Sequence, residues 1–152
     1  MKTKLLFLLL LIAPLLMHAQ DAEKRKAQFN ITDGVAISGY DPVAYFTSGK
    51  PTKGKAEFAV RAAGITYYCS TKANKDLFLK NYKMYEPEFG GWCAYAMGNT
   101  GEKVEVDPET FKIINGKLYL FYNAFFNNTL KLWNKNEGEL LKKANQNWTK
   151  YN

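Results

Sequence analysis

Histidine is almost absent from this chain. Its one copy, His18, lies within an apolar leader at the start of the sequence. Past that leader, the commonest general base and commonest metal ligand is missing altogether. Triads built on Ser-His-Asp or Cys-His are excluded, as are zinc sites that need imidazole. A membrane-length hydrophobic run is lacking too. The apolar stretch from Leu5 to Leu16 holds 12 residues and contains Pro14, whereas a spanning helix needs roughly 20. With Lys2 and Lys4 ahead of it and the small residue Ala19 behind, residues 1–19 read as a secretory signal peptide. The expected location is outside the cytoplasm, periplasmic or secreted. No cysteine closely follows the apolar run, so no stable membrane anchor is expected once the signal is cleaved. Cysteine itself is scarce. Only Cys69 and Cys93 are present, the minimum for one disulfide, which an exported setting permits.

Cleavage after Ala19 leaves 133 of the 152 residues, enough for one domain with a real core. Those residues carry 19 basic and 14 acidic side chains, a net charge of +5. This fits a soluble, moderately basic surface, with attraction to anionic lipid or polymer at a cell envelope as the alternative. The lysines are scattered and no basic run is interleaved with arginine, so no nucleic-acid partner is expected. The oligomeric state is not fixed by these features.

Residues 20–38 are polar and charged, with Lys24, Arg25 and Lys26 in succession. They read as a mobile or loosely attached segment ahead of a domain over residues 39–150. Order is expected from about Ile37. Glu57 to Val60 and Ile65 to Ser70 form a predicted hairpin around Ala62-Ala63-Gly64, with Ile65, Tyr67 and Cys69 on the inner face. Ser70 or Thr71 can cap a helix from about Lys72 to Asn81, whose buried stripe is Leu77, Phe78 and Tyr82. A short helix is predicted after Gly90-Gly91, ending near Gly98. Asn115-Gly116 marks a second hairpin between Phe111–Ile114 and Lys117–Phe121, because both central turn residues need positive φ. From Ala124 onward the pattern turns helical, with Phe126, Leu130 and Trp133 on one stripe and Leu141, Ala144 and Trp148 on a second helix. The expected fold class is α+β: a small single domain with two β-hairpins, short helices and a C-terminal helical pair.

The densest chemical signal is Gly90-Gly91-Trp92-Cys93-Ala94-Tyr95. A helix starting near Gly91 would put the Cys93 thiol in its first turn, where unpaired N–H groups favour a thiolate. Gly90 and Gly91 would let another backbone or a ligand approach closely. Three readings stay open for Cys93: a thiolate that binds a soft metal ion or reacts with an oxidant, a thiol packed between Trp92 and Tyr95, and a disulfide with Cys69. Tyrosines Tyr40, Tyr45, Tyr67, Tyr68, Tyr82, Tyr85 and Tyr95 crowd the same half of the chain. They can line a pocket for a small molecule, or fill the core with their hydroxyls bonded to backbone. Asp41 can fix the turn at Pro42 through an Asx-type bond. The candidate ligand-binding set is Cys93, Tyr40, Asp41, Tyr45, Tyr68, Trp92 and Tyr95. Cys93 is the one candidate metal ligand, a soft metal ion the candidate cofactor, and no catalytic residue is assigned.

Gly39-Tyr40-Asp41-Pro42-Val43-Ala44-Tyr45-Phe46, Thr66-Tyr67-Tyr68 and Phe89 to Ala96 together resemble the YHS-domain family, and more closely its exported stand-alone branch. Leu118 to Asn123, Leu132-Trp133 and Ala144 to Trp148 resemble that branch's tail, so the likeness runs from about Gly39 to Trp148. It implies a non-enzymatic binding module for a small ligand or metal ion, with Cys93 at its site. A thiol-dependent redox protein and a structural or envelope-interaction module are the alternatives. Metal-associated YHS domains carry cysteines at positions matched here by Ala44, Ser70 and Asn74. The resemblance therefore implies a soft-metal site without its thiolate set, whereas Cys93 does match the exported branch.

Overall fold

The structure is a computed structural model, and it describes residues 21–151. The signal-peptide expectation falls on residues outside that range. A helix over residues 21–28 (α1) leads into β1 (Ile31–Thr32) and β2 (Val35–Ala36). There follow α2 (Ala44–Thr47), β3 (Lys55–Ala62), β4 (Ile65–Cys69), α3 (Lys72–Lys80), α4 (Tyr82–Tyr85) and α5 (Ala94–Asn99). The rest is β5 (Asp107–Ile114), β6 (Lys117–Phe121), β7 (Asn123–Ala124), β8 (Asn127–Asn128), α6 (Thr129–Trp133) and α7 (Glu137–Trp148). No helix among the described residues is long and apolar enough to cross a membrane. The α+β class holds, but the strands among the described residues form four antiparallel pairs, β1–β2, β3–β4, β5–β6 and β7–β8, where two hairpins were expected. The two extra pairs are two residues per strand, too short to leave an alternating pattern.

Local chemistry explains the long elements. In β4, Ile65, Tyr67 and Cys69 are wholly buried, as the period of two requires. The Thr71 side chain accepts the Asn74 N–H at 3.1 Å and caps α3. Asn115 and Gly116 adopt φ of 51° and 74° at the β5–β6 turn. On α3 only Phe78 is buried; Leu77 is exposed, because the helix ends at Lys80 and the chain turns before Tyr82 can extend the stripe.

β6 divides the interior. Its Leu118 and Leu120 enter one core with Val43, Tyr45, Tyr67, Cys69 and Phe78, while its Tyr119 and Phe121 enter another with Met97, Trp133 and Ala144. Alternation along one strand thus supplies both cores, and both faces of β6 read as hydrophobic. α5 and α7 close the second core over Trp133.

The segment before Ile37 is docked, which corrects the expectation of a mobile arm. Val35 and Ala36 are buried. Arg25 Nη2 donates to Glu86 Oε1 at 2.7 Å, a carboxylate oxygen that also accepts from Tyr67 Oη at 2.7 Å. The Asn30 N–H donates to the Gly90 carbonyl at 2.8 Å. The polar composition of residues 20–38 hid these attachments, which run through side chains and backbone rather than an apolar stripe.

Candidate functional site around Cys93

The two glycines of the central motif face the N-terminal segment. Phe89, Gly90 and Gly91 take φ of 55°, 61° and 84°, a left-handed turn that glycine adopts without steric cost. A Cβ on Gly90 would lie 3.1 Å from the Gln28 carbonyl oxygen and 3.2 Å from Phe29 Cα. The close approach predicted from Gly-Gly is therefore taken by another stretch of backbone. Trp92 belongs to the same contact, with Nε1 donating to the Gln28 carbonyl at 2.7 Å.

Cys93 begins a different region. It holds the N-cap position of α5, one residue before the helix rather than inside its first turn. Its side chain caps none of the α5 amides. Instead Sγ accepts the Tyr122 N–H at 3.4 Å and lies 3.5 Å from Thr129 Oγ1. Thr129 already directs its hydroxyl at the Tyr122 carbonyl, 2.8 Å away, which leaves its oxygen to accept the S–H. The donor and acceptor roles of a neutral thiol are both filled.

Next to this sulfur is a cavity of about 340 Å³. Tyr95, Ala96, Val104 and Tyr122 supply much of its wall, and Asn99, Glu102 and Asn127 add polar groups. Cys93 borders the cavity but exposes no surface of its own. Solvent therefore meets its neighbours rather than the sulfur. An apolar hollow with a few fixed polar groups is the ordinary form of a small-molecule site. A smaller cavity of about 190 Å³, by Arg25, Glu86 and Gly90, is walled largely by charged and polar side chains and borders neither cysteine.

Of the candidate set, Cys93 and Tyr95 meet at this cavity. The others are dispersed. Tyr45 is buried in the first core, its hydroxyl donating to the Pro108 carbonyl at 2.8 Å, and desolvation raises its pKa. Tyr40 is half-buried against the edge of the first core, with its hydroxyl 2.9 Å from Glu109 Oε1 and the Lys53 ammonium 3.9 Å from its ring centroid. Tyr68 lines a separate hollow beside Gly39 and Ser38. Tyr122, Thr129, Val104 and Glu102 had no sequence signal as site residues. They reach Cys93 only through long-range folding.

Asp41 has its own network. Its Oδ1 accepts the Val43 N–H at 2.9 Å, the Asx-type bond expected at Pro42. Its Oδ2 accepts from the Ser70 N–H at 2.7 Å, the Ser70 hydroxyl at 2.6 Å and Asn74 Nδ2 at 2.6 Å. The carboxyl group is wholly buried. Ser70 and Asn74, which the YHS resemblance aligns with metal-ligand positions, are thus committed to a carboxylate. Next to it, burial and then the Asp41 charge push the Cys69 thiol from 9.0 up to about 12, against a smaller opposing effect of Lys75. Both cysteines are free, and they belong to different regions of the interior. Among the described residues no group of three or more His, Cys, Asp or Glu side chains could hold a metal ion. The thiol of Cys93 with the Glu102 carboxylate is a poor match to a soft metal.

The chain matches no protein-family model, no curated protein and no solved structure.

Proposed function

We propose that this chain is an exported, non-enzymatic binding module of the YHS type that holds a small, largely apolar ligand in the cavity bordered by Cys93. The observation that carries this reading is the cavity itself, about 340 Å³, whose exposed wall is mostly apolar although half of its lining residues carry polar groups. Cys93 acts there as a packed wall residue whose hydrogen bonds to Tyr122 and Thr129 keep the hollow in shape. Tyr95 and Tyr122 offer flat faces to an aromatic or alkyl ligand. The mostly apolar wall, with Glu102 its single carboxylate, supports an organic ligand over a metal ion.

The uncharged dye N-phenyl-1-naphthylamine tests this. The wild-type chain is expected to bind it saturably, with enhanced fluorescence. Ala96→Phe fills the hollow from its wall and is expected to weaken binding by about tenfold or more, a loss of roughly 1.4 kcal/mol. No saturable binding, or binding that Ala96→Phe leaves unchanged, would overturn the proposal.

A further inference from the structure

All four hairpins turn through two residues of positive φ. Three of those pairs end in glycine: Asp33-Gly34 at 51° and 80°, Ala63-Gly64 at 45° and 88°, and Asn115-Gly116 at 51° and 74°. The fourth, between β7 and β8, is Phe125-Phe126 at 51° and 63°. Left-handed backbone suits glycine and disfavours a bulky L-residue, and such turns ordinarily take Asn-Gly. Both rings also stand in solvent. Phe125 is 92% and Phe126 112% exposed, the highest values among the large hydrophobic side chains of the described residues. Phe126 therefore does not share the buried stripe with Trp133 that its spacing suggested. Strained backbone combined with exposed aromatic surface gives the isolated fold nothing, and strain of this kind collects at functional sites.

The apolar cavity lies beside this tip. Asn127, the residue after Phe126, is part of its wall, as are Tyr122 and Thr129 from either side of the β7–β8 pair. An aromatic knob and an apolar hole are thus neighbours on one molecule. A two-fold axis between them presents each copy's knob to the other's hole. A hollow of about 150 Å³ already accommodates benzene, and this one measures about 340 Å³. We infer that Phe125 and Phe126 form a dimerisation knob that seats in the Cys93-side cavity of a second copy, reciprocally. A lipid surface fits less well, because a bilayer would take up the two rings and leave the neighbouring hollow unfilled, whereas a second copy covers the knob and fills the hole together. The inference uses the cavity's shape and does not depend on which small ligand enters it; ligand and knob would compete.

Sedimentation velocity of the purified chain, from micromolar to near-millimolar concentration, tests this. Wild type is expected to show a reversible monomer–dimer equilibrium. The double variant Phe125→Asn/Phe126→Gly installs the turn pair found between β5 and β6, so it keeps the hairpin while removing the knob. It is expected to weaken the dimer by at least about tenfold with an unchanged circular-dichroism spectrum. Ala96→Phe, which fills the hole, should do the same. An equal mixture of the two variants retains one knob–hole pair and is expected to associate more strongly than either alone. A wild-type chain that stays monomeric, or a dimer indifferent to both variants, would overturn the inference. So would a monomer that binds phosphatidylcholine–phosphatidylglycerol vesicles through Phe125 and Phe126, since the tip would then belong to lipid. Dye binding by the knobless variant reports the cavity alone, so failure of the ligand reading is told apart from failure of this one.

Discussion

Cys69 and Cys93 are both wholly buried and both free, yet their surroundings differ in kind. Around Cys69 everything is spent. Aromatic rings pack one side, and Asp41 ties the turn at Pro42 to Ser70 and Asn74 through four hydrogen bonds. Around Cys93 the thiol's hydrogen bonds to Tyr122 and Thr129 are made as well, but open volume lies next to the sulfur. Burial of a cysteine therefore does not by itself mark a structural role. What separates the two is whether the space nearby is already filled.

Asp41→Ala should break the comparison most severely. It removes a wholly buried carboxyl group that accepts four hydrogen bonds and takes the partner from the half-buried Ser70 and Asn74 donors, at a cost of about 2–3 kcal/mol; Asn99→Ala at the exposed edge of the cavity should stay within about 0.5 kcal/mol. Urea unfolding of the two variants measures the contrast, and equal losses would show that the regions are energetically alike. Native-state alkylation with iodoacetamide, read peptide by peptide, comes next. Cys93 should react at least about tenfold faster than Cys69, since local opening toward a cavity takes less free energy than opening of a packed core.

Alkaline pH should sharpen the difference. The folded state keeps the Cys69 proton up to about 12, whereas the unfolded chain releases it near 9.0. The stability this gives is fully present below 9.0 and lost as pH rises toward about 12. Tyr119, raised to about 12 chiefly by desolvation, adds a loss of the same sign. Cys69→Ala should flatten the decline in denaturation midpoint over that window. A modest effect of opposite sign is expected at the β7–β8 turn, where Phe125→Asn/Phe126→Gly should raise monomer stability by about 1 kcal/mol by relieving left-handed strain.

The long hairpins and α3 were legible because each carries a local signature: alternation in β4, an Asn-Gly pair, a threonine cap. The β7–β8 hairpin was not legible. Its turn uses the residue type that spacing rules assign to a core, and Phe126, Leu130 and Trp133 mimic a helical stripe. The docking of residues 28–30 was hidden for a different reason. It is made by backbone meeting backbone at Gly90, and the glycine pair announced an approach without saying of what. At the candidate site, Cys93 and Tyr95 could be read from adjacency along the chain. Tyr122 and Thr129 could not, because only the path of β6 through both cores brings them there.

One consequence follows from the way residues 28–30 lie against Gly90. Trp148 packs at the same glycine, and Gln28 donates to the Tyr151 carbonyl. The eight residues of α1 extend only roughly 12 Å from that junction. A short peptide bridge could therefore join residue 151 to residue 21, and the chain could be reopened at the exposed Phe125-Phe126 turn. Such a circular permutant would keep the core contacts while turning the most solvent-exposed aromatic pair among the described residues into its two new ends.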